Sequence, residues 1–185
     1  MKEFVRLLTL ALLAGLVSAA EAAWTYDPTA GTLTDGVWAL KATLVSKTTD
    51  QLNVEGKDAT CAGSGLFPID LTTITDNDGH AYKAVSFTLL NNKNCKSRLS
   101  EFIAPDCTKI TGANCFNGFT ALTKVQLNET VESLAGRAFG GCTALDSFYP
   151  RTLHVKDIAI SCFNGCSKLA GSFSFPDFEG NVSGG

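Results

Sequence analysis

Seven cysteines, two histidines and one acidic turn are the side chains of this sequence with chemistry to offer. A cysteine nucleophile needs a nearby base, usually histidine, to make it a thiolate. A redox dithiol needs C-x-x-C at a helix start, where one thiol is acidified. Cys162 and Cys166 are spaced C-x₃-C, and both recur with a longer period in the chain. His80 stands beside a turn and His154 in a loop, with nothing in the spacing that ties either to a thiol. The "DNDG" run at 76–79 hints at a calcium loop, but with Gly79 at its sixth position the first and twelfth positions fall on Ile74 and Val85. A calcium loop wants acidic ligands there. The run reads as a turn. No phosphate-cradling glycine loop and no nucleophile elbow occurs, so no enzyme, cofactor or metal is expected.

The thiols make better sense as part of a pattern. Phe116, Phe139 and Phe163 lie 23 and 24 residues apart, in "CFNGF", "AFGGC" and "CFNGC". Phe119, Cys142 and Cys166 follow three residues later, and Leu122, Leu145 and Leu169 three beyond that. Extended runs come next, "LTKVQL", "LDSFYP" and "LAGSFSFP". Aliphatic pairs then precede the next phenylalanine, Val131 with Leu134 and Val155 with Ile158. One period earlier Leu99, Phe102, Cys107 and Ile110 fit the same grammar, and Cys95 fits the Phe119 place with a one-residue shift. A period in the low twenties is the mark of stacked units, each too small to bury its own apolar side.

This pattern, A/C-F-x-x-C-x-x-L-x-x-V-x-L-P with an aliphatic pair and then A-F again, resembles the BspA-type leucine-rich repeat over residues 82–178. The resemblance implies a β-rich solenoid, with one short strand per repeat in a parallel sheet and loops or single helical turns opposite. Pro150 where Leu127 stands, and the small Ala104 at the same place, imply uneven rungs. The resemblance also implies an exported or surface protein that adheres to an extracellular protein or glycan.

Within such a stack most cysteines occupy places held elsewhere by Phe, Ala or Val, and buried thiols acting as small hydrophobes are the favoured reading. Disulfides remain the alternative. Parallel strands lie ~4.8 Å apart, within reach of a disulfide's Cα span of roughly 4.4–6.8 Å. Cys142 and Cys166, on adjacent rungs, could therefore bridge, whereas Cys115 and Cys162, two rungs apart, should not. Cys61 is the expected odd thiol. The outward residues of the strands would be Lys124, Gln126, Asp146 and Ser147, a candidate binding face.

The remaining elements frame this stack. Residues 1–22 carry a basic start, the apolar run "LLTLALLAGLV" and an "AEA" ending, the pattern of a secretory signal peptide. That run is far short of the roughly 20 residues a membrane-spanning helix needs, and no later stretch qualifies. Residues 23–81 contain Asp35-Gly36 before the alternating "VWALKATL", then "QLNVEG", "PIDLTTI" and a second Asp-Gly at 78–79. These predict a small β-hairpin cap over the first rung. The end of the repeats lacks an obvious cover, so self-association there is an open expectation, and residues 179–185 read as a flexible tail. A net charge of −3 with no basic run argues against nucleic acid as a partner. Asn128-Glu129-Thr130 and Asn181-Val182-Ser183 match the N-glycosylation triplet.

Overall fold

The computed structural model describes residues 23–88, 90, 93–155 and 161–177. Ile158, Phe178, residues 1–22 and residues 179–185 lie outside these. The chain begins with three antiparallel strands, β1 (Trp24–Asp27), β2 (Thr32–Thr34) and β3 (Trp38–Leu44). Carboxylates set both turns. Asp27 accepts the amides of Thr29 and Ala30, and Asp35 those of Val37 and Trp38. Gly36, at φ +87°, supplies the left-handed step that makes Asp-Gly a hairpin signal. In β3, Trp38, Leu40 and Ala42 are buried while Ala39, Lys41 and Thr43 are exposed, as the alternation requires. Leu44 breaks the expectation and is exposed at the strand end.

Next come β4 (Gln51–Cys61), β5 (Phe67–Asp70), β6 (Ile74–Thr75) and β7 (Ala81–Thr88). The expected hairpin cap needs correction here. β4 pairs with β3 and also, in parallel, with β7. The two-residue β6 then pairs with both β1 and β7. The ring β7-β4-β3-β2-β1-β6 therefore closes on itself as a mixed six-stranded barrel. Closure leaves no open edge around the ring, which hairpins alone could not achieve. The run "PIDLTTI" hid this, because its two halves go to different sheets, β5 to one and β6 to the other. Trp24, Tyr26, Leu33, Trp38, Leu52, Val54 and Ile74 are buried in this part. Among the described residues, the Trp38 indole N–H is a buried donor with no acceptor, a cost of about 1–3 kcal/mol that burial of the large ring offsets.

Beyond the barrel every strand pairing is parallel. β9 (Lys109–Thr111) and β11 (Ser133–Leu134) extend the first sheet from β7. β8 (Leu99–Ile103), β10 (Lys124–Gln126) and β12 (Ser147–Tyr149) extend a second sheet from β5. Registers keep repeat positions level: Phe102, Val125 and Phe148 face one another in the second sheet, and Phe87, Ile110 and Leu134 in the first. All six are buried. The third side of each repeat is a turn. These turns bond to each other through their backbones, Phe116 N–H to the Ala138 carbonyl, Phe139 N–H to that of Cys162, and Gly141 N–H to that of Asn164. Glycine is required in this column. Gly118, Gly141 and Gly165 all have φ between +69° and +79°, and a Cβ on Gly165 would sit 3.3 Å from the Gly141 Cα.

A spine of rings runs through the middle. Phe87, Phe116, Phe139, Phe163 and Phe173 stack face to face at 5.2–5.6 Å between successive centroids. Phe148 meets Phe139 and Phe163 edge-on, at 80° and 88°. Leu122, Leu145 and Leu134 are buried beside them, while Leu169 and Phe163 are only partly covered.

The uneven rung at Pro150 has a direct consequence. Ala104 N–H donates to the Gln126 carbonyl and Leu127 N–H to that of Tyr149. At the next level Pro150 has no N–H to give. Pairing resumes only at Leu153 N–H to the Ser174 carbonyl and Ser174 N–H to that of Arg151. Among the described residues β12 is thus the last strand of its sheet, an edge guarded by proline as edges commonly are.

Candidate binding face

The thiols divide into two sets. Cys61, at the end of β4, is bonded to Cys95, with their Cα atoms 6.1 Å apart. This corrects the expectation that Cys61 is the odd thiol, and the Cys142–Cys166 bridge, held as the alternative to buried thiols, does not form. Cys95 lies in the first repeat, whose neighbour is the barrel rather than another repeat, so its partner comes from β4. Arg98 secures the same junction: its guanidinium donates to the carbonyls of Cys61, Ala62 and Gly65 and covers the Phe67 ring at 5.5 Å.

Cys142 and Cys166 are separate thiols, as are Cys107, Cys115 and Cys162. Each of the first pair donates to the carbonyl of the preceding repeat's phenylalanine, Cys142 to Phe116 and Cys166 to Phe139, both at 3.1 Å. Stacked one above the other in sequence register, they point to successive carbonyls rather than to each other. Burial pushes the Cys107, Cys142 and Cys162 thiols up to about 12, and raises Cys166 as well. Neutral, buried thiols are poor nucleophiles.

A pH prediction follows from these shifts. The thiols keep their protons longer in the folded state than the ordinary ~8.5 of an unfolded cysteine. The folded chain therefore binds more protons between roughly pH 9 and 12, and its stability falls with rising pH in that window. The expected result is a denaturation midpoint that drops steadily above pH 9, together with no alkylation of Cys107 or Cys162 by iodoacetamide at pH 8 until denaturant is added. Rapid labelling of either thiol in the native protein would contradict it.

Neither histidine serves a thiol. The His80 ring lies 3.2 Å from the Thr49 carbonyl and edge-on to Tyr82, and His154 is 2.7 Å from Asp177. Asp76 caps its own turn by accepting the amides of Asp78 and His80 and the Tyr82 hydroxyl, and these bonds hold its carboxyl below the usual range. No group of three or more His, Cys, Asp or Glu that could hold a metal occurs among the described residues.

The polar face is arranged differently. In β10 Val125 points in while Lys124 and Gln126 stay accessible, and in β12 Phe148 points in between the exposed Ser147 and Tyr149. Two columns result on the outer side of the second sheet: Glu101, Lys124 and Ser147 in one, Ile103, Gln126 and Tyr149 in the other. Lys124 reaches Glu101 at 3.6 Å, and Asp146 is exposed just ahead of β12. All four residues expected on the face are thus accessible.

Tyr149 and Glu129 were not expected there. Tyr149 is 45% exposed, and its hydroxyl donates to Glu129 Oε1 at 2.6 Å. The signal for Tyr149 was present, since a residue next to the inward Phe148 must face outward. Glu129 belongs to the turn after β10, which Asn128 organises. The Asn128 amide donates to the Pro105 carbonyl one repeat earlier, and its oxygen accepts from the Thr130 amide and hydroxyl. The nitrogen of this glycosylation triplet is thus committed to the fold, and the second triplet lies outside the described residues. Tyr149, Glu129, Thr130, Gln126, Leu127 and Pro105 enclose an open groove of about 730 Å³.

Comparison with known proteins gives one match and two blanks. Neither the curated proteins nor the solved structures compared with the chain match it. A profile described as "BspA type Leucine rich repeat region" matches in six copies. Its span includes the parallel strands from β8 onward, the turn column and the phenylalanine spine past the first repeat. Residues 91–179 of this chain belong to the BspA-type leucine-rich repeat family.

Proposed function

We propose that the chain is a secreted or cell-surface binding module, a short β-rich solenoid on a barrel base that recognises an extracellular protein or glycan without catalysis. The observation that carries this reading is the division of labour among its polar groups. The thiols, both histidines and Asp76 are spent on the fold, while the columns on β8, β10 and β12 stand accessible on a rigid sheet. Proteins with BspA-type repeats are generally surface or secreted, and the basic-apolar-small start of the sequence agrees with export. No helix among the described residues is long and apolar enough to cross a membrane. Repeat stacks offer long, shallow surfaces suited to recognition. The test is a binding screen of the purified chain, with residues 1–22 removed, against extracellular-matrix proteins and an array of glycans. Saturable binding to any of them supports the reading, and silence at high protein concentration removes it.

A second reading, a stacking unit of a larger surface assembly, is favoured by one feature. Phe163, Cys166, Leu169, Phe173 and Phe175 at the last described repeat are only partly covered. Light scattering separates the two, since a monomer at every concentration argues against assembly through that end.

A further inference from the structure

We propose that the groove between Tyr149, Gln126 and Glu129 is a binding site for a neutral sugar ring. This rests on the binding-module reading and names its site and ligand class. Three features of the groove converge on such a ligand. The first is a platform. Tyr149 projects from β12, the last strand of its sheet among the described residues, and its hydroxyl bond to Glu129 holds the ring in one orientation. An aromatic face held in place and open to solvent suits the C–H face of a pyranose, which is apolar on one side and ringed by hydroxyls. The second is unspent polar capacity. The Gln126 side chain has no hydrogen-bond partner within the protein among the described residues. Glu129 uses only Oε1 for the tyrosine, which leaves Oε2 to accept from a sugar hydroxyl. An amide and a carboxylate beside an aromatic ring supply both donor and acceptor for vicinal hydroxyls.

The third feature is charge. Among the described residues, the only charged one lining the groove is Glu129, and no Lys or Arg lines it. A phosphorylated, sulfated or sialylated ligand would meet a carboxylate without a compensating cation. A neutral sugar meets no such penalty. The walls are also prepared in advance. Asn128 bonds to Pro105 and Thr130, so the turn that carries Glu129 is set before any ligand arrives.

The test uses saturation-transfer NMR and calorimetry on the chain lacking residues 1–22, with lactose, maltotriose and chitotriose as probes. Sialyllactose and a sulfated disaccharide serve as anionic counterparts. At least one neutral probe is expected to bind, with transfer strongest to its ring C–H protons. Tyr149→Ala should weaken that binding about tenfold or more, the scale of losing an aromatic platform, with the melting temperature little changed because Tyr149 is exposed. Gln126→Ala, a milder change on the same groove, should weaken it less. It stands in for Tyr149→Ala if that variant proves unstable. Stronger binding of the anionic sugars, or neutral-sugar binding untouched by both substitutions, overturns the assignment. If no neutral probe binds while the chain still captures a matrix protein, the sugar site falls and the binding-module reading survives. If nothing binds, both fall.

Discussion

Phe139→Ala is expected to destabilise the protein by about 3–5 kcal/mol, the range for emptying a well-packed aromatic site. The ring lies nearly parallel to Phe116 at 5.2 Å (4°) and to Phe163 at 5.6 Å (8°), with Phe148 edge-on at 5.3 Å. Its removal leaves a gap between two stacked faces that the backbone cannot close. The turns on either side are tied by the Phe139 N–H bond to the Cys162 carbonyl and by the glycine column. Phe163→Ala should cost clearly less, because that ring is only partly buried. Guanidinium unfolding of the three proteins checks both statements. A loss below ~1 kcal/mol for Phe139→Ala, far under the expected range, would mean that the spine is not what holds the repeats together.

Breaking the Cys61–Cys95 bond should rank next. The two residues are 34 apart in sequence, and a cross-link closing a loop of that length restricts the unfolded chain by about 4 kcal/mol in the chain-entropy view. The paired substitution Cys61→Ser with Cys95→Ser is therefore expected to lower stability by roughly 3–4 kcal/mol. Reductant should then have little further effect on the variant. Cys142→Ser changes a thiol that donates only to the Phe116 carbonyl, and a hydroxyl can make the same bond, so its loss should be smaller. Peptide mapping of the unreduced protein gives an independent check. A Cys142–Cys166 link in place of Cys61–Cys95 would refute the assignment.

The repeats were legible because packing imposes the same demand at every level. Phe116, Phe139 and Phe163 recur since each ring must stack on the last, and the glycine two residues on recurs since only a left-handed turn fits there. Local signals were equally direct in β3, where alternation marks the inward face. The barrel was hidden for the opposite reason. Its closure depends on two residues, Ile74 and Thr75, pairing with the distant β1 as well as with the neighbouring β7, and so short a strand carries no period. The disulfide escaped because a rule based on equal repeat positions cannot see a partner outside the repeats. Lys124, Gln126 and Ser147 could be assigned outward by parity, yet the groove needed Glu129 and Pro105 brought together from different repeats through Asn128.

β7 is a stave of the closed ring and also the strand on which β9 is laid. The two halves share this strand, so neither can swivel without tearing its hydrogen bonds. The pitch of the ring is thereby handed on: β9 lies in register on β7, and β11 in register on β9. Whatever meets Tyr149 at the far side meets a surface whose orientation was set at Trp24.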